Sequence, residues 1–232
     1  GVLIDNGTLN LEGGSIAGNK ATDGGGAFVA GKSGKLSVAA GASISDNKAN
    51  IGGGLVTHGE TTLSGTLSGN TTEGGEWGGG AFVCSEGTLS VQGATFTGNV
   101  AGKDGGAIHS EGTTRIEDGT FTANKSHLSG GALRVLGGTT EIAKGTLSEN
   151  LAEDKGGGIY VNNDGTLALK DVSITKNTAY EGGGGIWIGG SANVNASGAP
   201  VVKDNTANNV FLADGRKLTV ADTLSEKADI GV

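Results

Sequence analysis

The chain has 232 residues, of which 48 are glycine, with one proline, one cysteine and no methionine. Its formal net charge of −8 argues against nucleic acid and anionic lipid as partners, and no apolar run is long enough for a membrane span. One cysteine excludes an internal disulfide and a multi-cysteine metal site.

The first element along the chain is "GTLNL" at 7–11, with copies such as "GKLSV", "GTLSV" and "GTLAL". The copies form two rows two residues apart. One is Leu9, Leu36, Thr61, Leu89, Thr114, Thr140, Leu167 and Ala192. The other is Leu11, Val38, Leu63, Val91, Ile116, Ile142, Leu169 and Val194. A period of two predicts a strand with one buried face.

The second element is "SIAGN" at 15–19, repeated as "SISDN", "TLSGN", "TFTGN", "TFTAN", "TLSEN" and "SITKN". Its apolar row is Ile16, Ile44, Leu67, Phe96, Phe121, Leu147, Ile174 and Val202. Three residues on comes Asn19, Asn47, Asn70, Asn99, Asn124, Asn150, Asn177 and Asn205. Asparagine tolerates left-handed corners and its amide bonds to backbone. Stacked copies can also bond to each other, so this row is expected to be a buried structural ladder. A small row follows, from Ala21 through Ala101 and Ala152 to Ala207.

The third element is glycine-led. The large apolar residues after its glycines are Phe28, Leu55, Phe82, Ile108, Leu133, Ile159 and Ile186, spaced 25 to 27 residues apart. These are expected to point inward. So are the residues two further on, Ala30, Thr57, Cys84, Ser110, Val135, Val161 and Ile188, which makes Cys84 a buried structural thiol. The row between them is expected outward: Val29, Val56, Val83, His109, Arg134, Tyr160 and Trp187.

Three short strands per repeat, tight turns and no helical periodicity predict an all-β, single-stranded parallel β-helix. About eight coils are expected, each of roughly 23–29 residues. At about 4.8 Å per coil the rod is about 40 Å long. The whole of 1–232 reads as one domain, its last partial coil covering about 208–232, and as a piece of a longer chain.

"GGGAFVAGKSG" at 24–34 contains G-x-x-x-x-G-K-S, the phosphate-loop pattern. That loop must join a strand to a helix. Here it would contain an inward Phe28 and an outward Val29 and lead into another strand, so no nucleotide binding is expected.

The outward row offers an imidazole, a guanidinium and two aromatics on consecutive coils. Tyr, Trp and Arg are typical contact residues. His109, Arg134, Tyr160 and Trp187 are therefore the candidate ligand-binding residues, for a glycan or a protein. Trp77, in the turn "TTEGGEWGGG", is a further candidate. It either projects as a contact residue or folds back as a lid. Outward Ser and Thr rows, such as Ser43, Thr66, Thr95, Thr120 and Thr146, resemble the T-x-T faces of ice-binding β-helices, although serine interrupts the methyl pattern. Arg115 and Glu141 are expected to form a cross-strand ion pair. No catalytic residue, metal site or cofactor is assigned: His58, His109 and His127 share no ligand spacing, and the acids lie mainly in turns.

"GGAI" at 105–108 and "GGAL" at 130–133, with "FTGN" at 96–99 and "FTAN" at 121–124, resemble the GGA[ILV] and FxxN repeats of chlamydial polymorphic outer-membrane proteins and related bacterial surface adhesins. "NNVFLADGRKLTV" resembles the last coil of repeat arrays in large bacterial cell-surface proteins. The resemblance implies a right-handed helix, an extracellular or cell-surface location and a non-catalytic adhesin or stalk role. Expected partners are a host or matrix glycan or protein and flanking segments of the same chain, without direct membrane insertion. The alternative, by analogy of fold, is a polysaccharide lyase or glycosidase of the pectate-lyase-like class.

Overall fold

The computed structural model describes residues 1–231; Val232, part of the predicted last coil, lies outside them. The chain winds into a parallel β-solenoid of about nine turns with about 26 residues per turn, and no helix is present among the described residues. The stretch predicted as a partial coil supplies a ninth turn through Val210–Leu212, Leu218–Leu224 and Asp229–Ile230.

One face is a nine-stranded sheet that runs in sequence order from Val2–Ile4 to Val210–Leu212. The other two faces belong to a single 14-stranded sheet. In four middle coils the two strands expected there are one ten-residue strand: Thr88–Thr97, Thr113–Thr122, Thr139–Ser148 and Thr166–Thr175. In three of the four, two consecutive exposed residues, such as Gln92-Gly93 or Ala143-Lys144, turn the strand around its corner without breaking it. The register shift beside Gln92 is the bulge that accommodates the bend. Two-residue strands such as Val100–Ala101 and Leu151–Ala152 form a further six-stranded sheet just after the asparagines.

Register on the nine-stranded face is set by one glycine per coil, not by the largest apolar side chain. Gly105 has φ +73°, and a Cβ there would lie 2.6 Å from the Ile108 carbonyl oxygen, so only glycine fits the corner. Equivalent glycines recur from Gly24 to Gly183. The third residue beyond each points inward: Ala27, Leu55, Ala81, Ile108, Leu133, Ile159 and Ile186.

This corrects the expectation for two coils. Phe28 and Phe82 sit in the outward row, in register with Val56 and His109, while Val29 and Val83 are inward and fully buried. Alanine fills the inward site in these coils, so the conspicuous aromatic is not the core residue. Cys84 then falls outward as well. A second correction concerns the coil after Leu167. Val194 pairs with Leu167 and Ala196 with Leu169, two residues later than the sequence alignment placed them.

The core is a continuous column of aliphatic rows, with Phe96 and Phe121 stacked at 4.9 Å. Where two faces meet, polar interior positions come in pairs. The Thr61 hydroxyl donates to Thr57 Oγ1 at 3.1 Å, and Ser110 and Thr114 hydroxyls are 2.8 Å apart. In the next coil the partner position is Val135, and the buried Thr140 hydroxyl has no partner.

Candidate functional site

The asparagine row is a hydrogen-bonded ladder. The backbone N–H and Nδ2 of Asn99 both donate to Asn124 Oδ1, at 3.1 and 2.9 Å. Asn124 donates in the same way to Asn150, and Asn150 to Asn177. The second Nδ2 hydrogen goes to a carbonyl of the preceding coil, as from Asn124 to Phe96 at 3.0 Å. The pattern begins at Asn19 and runs through Asn47, Asn70 and Asn177 to Asn205. It ends on Asn209, whose Oδ1 accepts from both donors of Asn205. The residue before each ladder asparagine takes the left-handed corner, whether glycine, as Gly98, or not, as Ala123, Glu149 and Lys176. The sequence showed the asparagines but gave no signal for Asn209 as their terminator.

The outward row of the nine-stranded face is Phe28, Val56, Phe82, His109, Arg134, Tyr160, Trp187 and Phe211. It is a stacked column. Phe82 and His109 stack at 5.0 Å, Arg134 lies 5.6 Å over the Tyr160 ring, and Trp187 stacks on Phe211 at 3.8 Å. Lys155 covers Trp187 at 5.2 Å. Ring faces therefore meet within the pairs Phe82–His109 and Trp187–Phe211.

The five candidate residues are not equally available. His109 is 0 % exposed and so does not present its imidazole to solvent. Arg134 donates to Asp104 Oδ2 at 2.6 Å, with both side chains largely buried. Asp104 also accepts from the Ser129 backbone N–H. Trp77 folds back as a lid: its ring is 5.9 Å from His109 and 6.4 Å from Phe82, with Lys103 4.9 Å above it. Tyr160 and Trp187 remain half-buried, and the Tyr160 hydroxyl accepts from Asn162 Nδ2 at 2.8 Å. Phe211, which sequence reasoning missed, completes this end of the row; its position follows only from the ninth turn.

Burial, opposed only partly by Glu111, pushes the His109 pKa below its ordinary value, and Arg134 pushes in the same direction. The Nε2 to Glu111 Oε1 separation is 3.5 Å, an ion-pair distance without hydrogen-bond geometry. Glu111 is in turn held below the usual carboxylate range, first by His109. The Cys84 thiol lies among Val56, Phe82 and Trp77, outside the main core, with Sγ 3.3 Å from His58 Nε2. Burial first, then Glu111 and Asp23, push its pKa up to about 12, which leaves it a neutral thiol. Among the described residues no group of three or more His, Cys, Asp or Glu is placed to hold a metal ion.

The Ser and Thr rows lie in register on the opposite face, Ser43 through Thr66, Thr95, Thr120 and Thr146 to Ser173. Arg115 Nε and Glu141 Oε2 are 3.5 Å apart on adjacent coils. A shallow groove of about 220 Å³ lies beside them, over Ala143 and Ala168 between Glu141 and Lys170.

Comparison with curated proteins gives no match, and neither does comparison with solved structures. The family model for the Chlamydia polymorphic membrane protein repeat matches residues 93–111 and 171–189. Each matched segment carries one ladder asparagine, one corner glycine and one outward residue of the stacked column: Asn99, Gly105 and His109 in the first, Asn177, Gly183 and Trp187 in the second. The chain is thus a β-helix repeat protein with two segments similar to the Chlamydia polymorphic membrane protein repeat.

Proposed function

We propose that this chain is a non-catalytic segment of a bacterial cell-surface or secreted protein, and that it serves adhesion or display. The observation that carries the reading is the match to a membrane-protein repeat on a solenoid whose ladder is unbroken from Asn19 to Asn209. Such a ladder makes a stiff rod, in which each coil is stabilised by its neighbours. The contact region we assign is the half-buried end of the outward row, Tyr160 and Trp187 with Phe211. Their edges, the Asn162 amide and the Lys155 ammonium meet a partner together. A glycan or protein with acceptor oxygens suits those outward donors and ring edges.

The test is a glycan array combined with binding to matrix proteins and host cells. Saturable binding is expected, and Tyr160→Ala with Trp187→Ala should weaken it about tenfold or more, as loss of hot-spot aromatics does. Binding that survives the double substitution moves the contact elsewhere on the rod. Release of cleaved saccharide overturns the non-catalytic reading, and absence of any binding leaves a passive stalk.

A further inference from the structure

His109 combines two features that rarely coexist. It is fully buried, and neither ring nitrogen has a hydrogen-bond partner. Its cage is Phe82 from the preceding coil, Arg134 from the following one, and the Trp77 indole across the open side. The charged groups around it are few. Glu111 lies in the turn just after the His109 strand, Arg134 is paired to Asp104, and Lys103 beside the indole is paired to Glu76. Cys84 and His58 lie in the adjoining apolar cluster.

We propose that the Trp77 indole is an acid-released lid over His109 and the apolar cluster beside it. An imidazolium needs an acceptor at each nitrogen. Glu111 can serve Nε2, but Nδ1 faces none, so a water molecule must enter. Arg134 is tied to Asp104 at 2.6 Å, whereas the indole is held by packing and by Lys103 alone. The turn backbone stays fixed, because the Glu76 carbonyl accepts from Lys103 N–H and the Trp77 carbonyl from Gly52 N–H. Opening is therefore a rotation of the side chain. Burial holds the His109 pKa low, so release occurs below the ordinary histidine range, when protonation and opening occur together. Val56, Phe82 and Cys84 are then uncovered.

The test uses the full chain with Trp187→Phe, which leaves Trp77 as the sole indole. Trp77 emission and Cys84 labelling by 4,4′-dithiodipyridine are followed from about pH 8 to about pH 4, with far-UV circular dichroism as the fold control. We expect a red shift and, relative to a free cysteine peptide at each pH, labelling about tenfold faster in acid at constant circular dichroism. His109→Phe should abolish both. Should that variant not fold, Trp77→Ala should make labelling fast and insensitive to acid opening. Emission and labelling that stay flat, an identical response in His109→Phe, or changes that track loss of circular dichroism would overturn the proposal.

Discussion

A single asparagine in this rod serves three coils. Asn124 receives two bonds from Asn99, gives two to Asn150 and one to the Phe96 carbonyl. Asn124→Ala leaves the Asn99 donors and the Phe96 carbonyl without this partner, while Asn150 Oδ1 keeps the backbone N–H of residue 124. It should cost about 1–3 kcal/mol or more in denaturant unfolding. The same change at Asn19, which has a rung on one side only and is partly exposed, should cost less. Thr140 gives the opposite sign. Its hydroxyl is buried without a partner opposite Val135, so Thr140→Val removes an unsatisfied group while keeping the shape. A gain of about 1 kcal/mol is expected, and a loss would show that the hydroxyl is satisfied. At the ladder corner, Glu149 holds φ +58°. Glu149→Gly relieves that strain, so its unfolding midpoint should rise, by about 0.5–1 kcal/mol.

Among the elements, the outward column carries the titration behaviour. Above about pH 6.5, His109 is neutral in both folded and unfolded chains and adds no pH dependence. Below that, the unfolded chain takes up a proton that the buried imidazole refuses. Stability therefore falls as pH drops from 6.5 toward the depressed folded value, by at most about 1.4 kcal/mol per pH unit for one proton. Glu111, also held low, adds to the loss at lower pH. His109→Phe should flatten the upper part of this dependence, as read by urea titrations at several pH values.

The elements also show what sequence could and could not reveal. The asparagine and "SIAGN"-type rows were legible because their spacing inside each repeat never varies. The glycine-led strands were harder. Their glycine runs vary in length, and Phe28 and Phe82 have the size of core residues, whereas the left-handed corner glycine decides which side faces in. The exposure of the candidate site was not legible at all. Trp77, Asp104 and Lys103 come from turns whose lengths differ, and it is these turns that cover His109 and pair with Arg134.

At the scale of the molecule, the rod is a one-dimensional stack. Its rigidity comes from an unbroken asparagine ladder at one corner, supported by largely aliphatic columns inside and stacked ring pairs along one outer face. Its two ends are unlike. Leu9, Leu11 and Ile16 are only half-buried at the first coil, where Asn19 starts the ladder. The last coil ends the ladder on Asn209 and carries a higher density of charge.

One hydrogen-bonded ladder runs through the rod from Asn19 to Asn209. The most direct measurement is hydrogen exchange of the asparagine side-chain amides by NMR. The Nδ2 hydrogens of Asn47, Asn70, Asn99, Asn124, Asn150 and Asn177 should exchange only through global unfolding, while exposed amides such as Asn6 exchange freely. Free exchange at the middle rungs, Asn99 and Asn124, would contradict it.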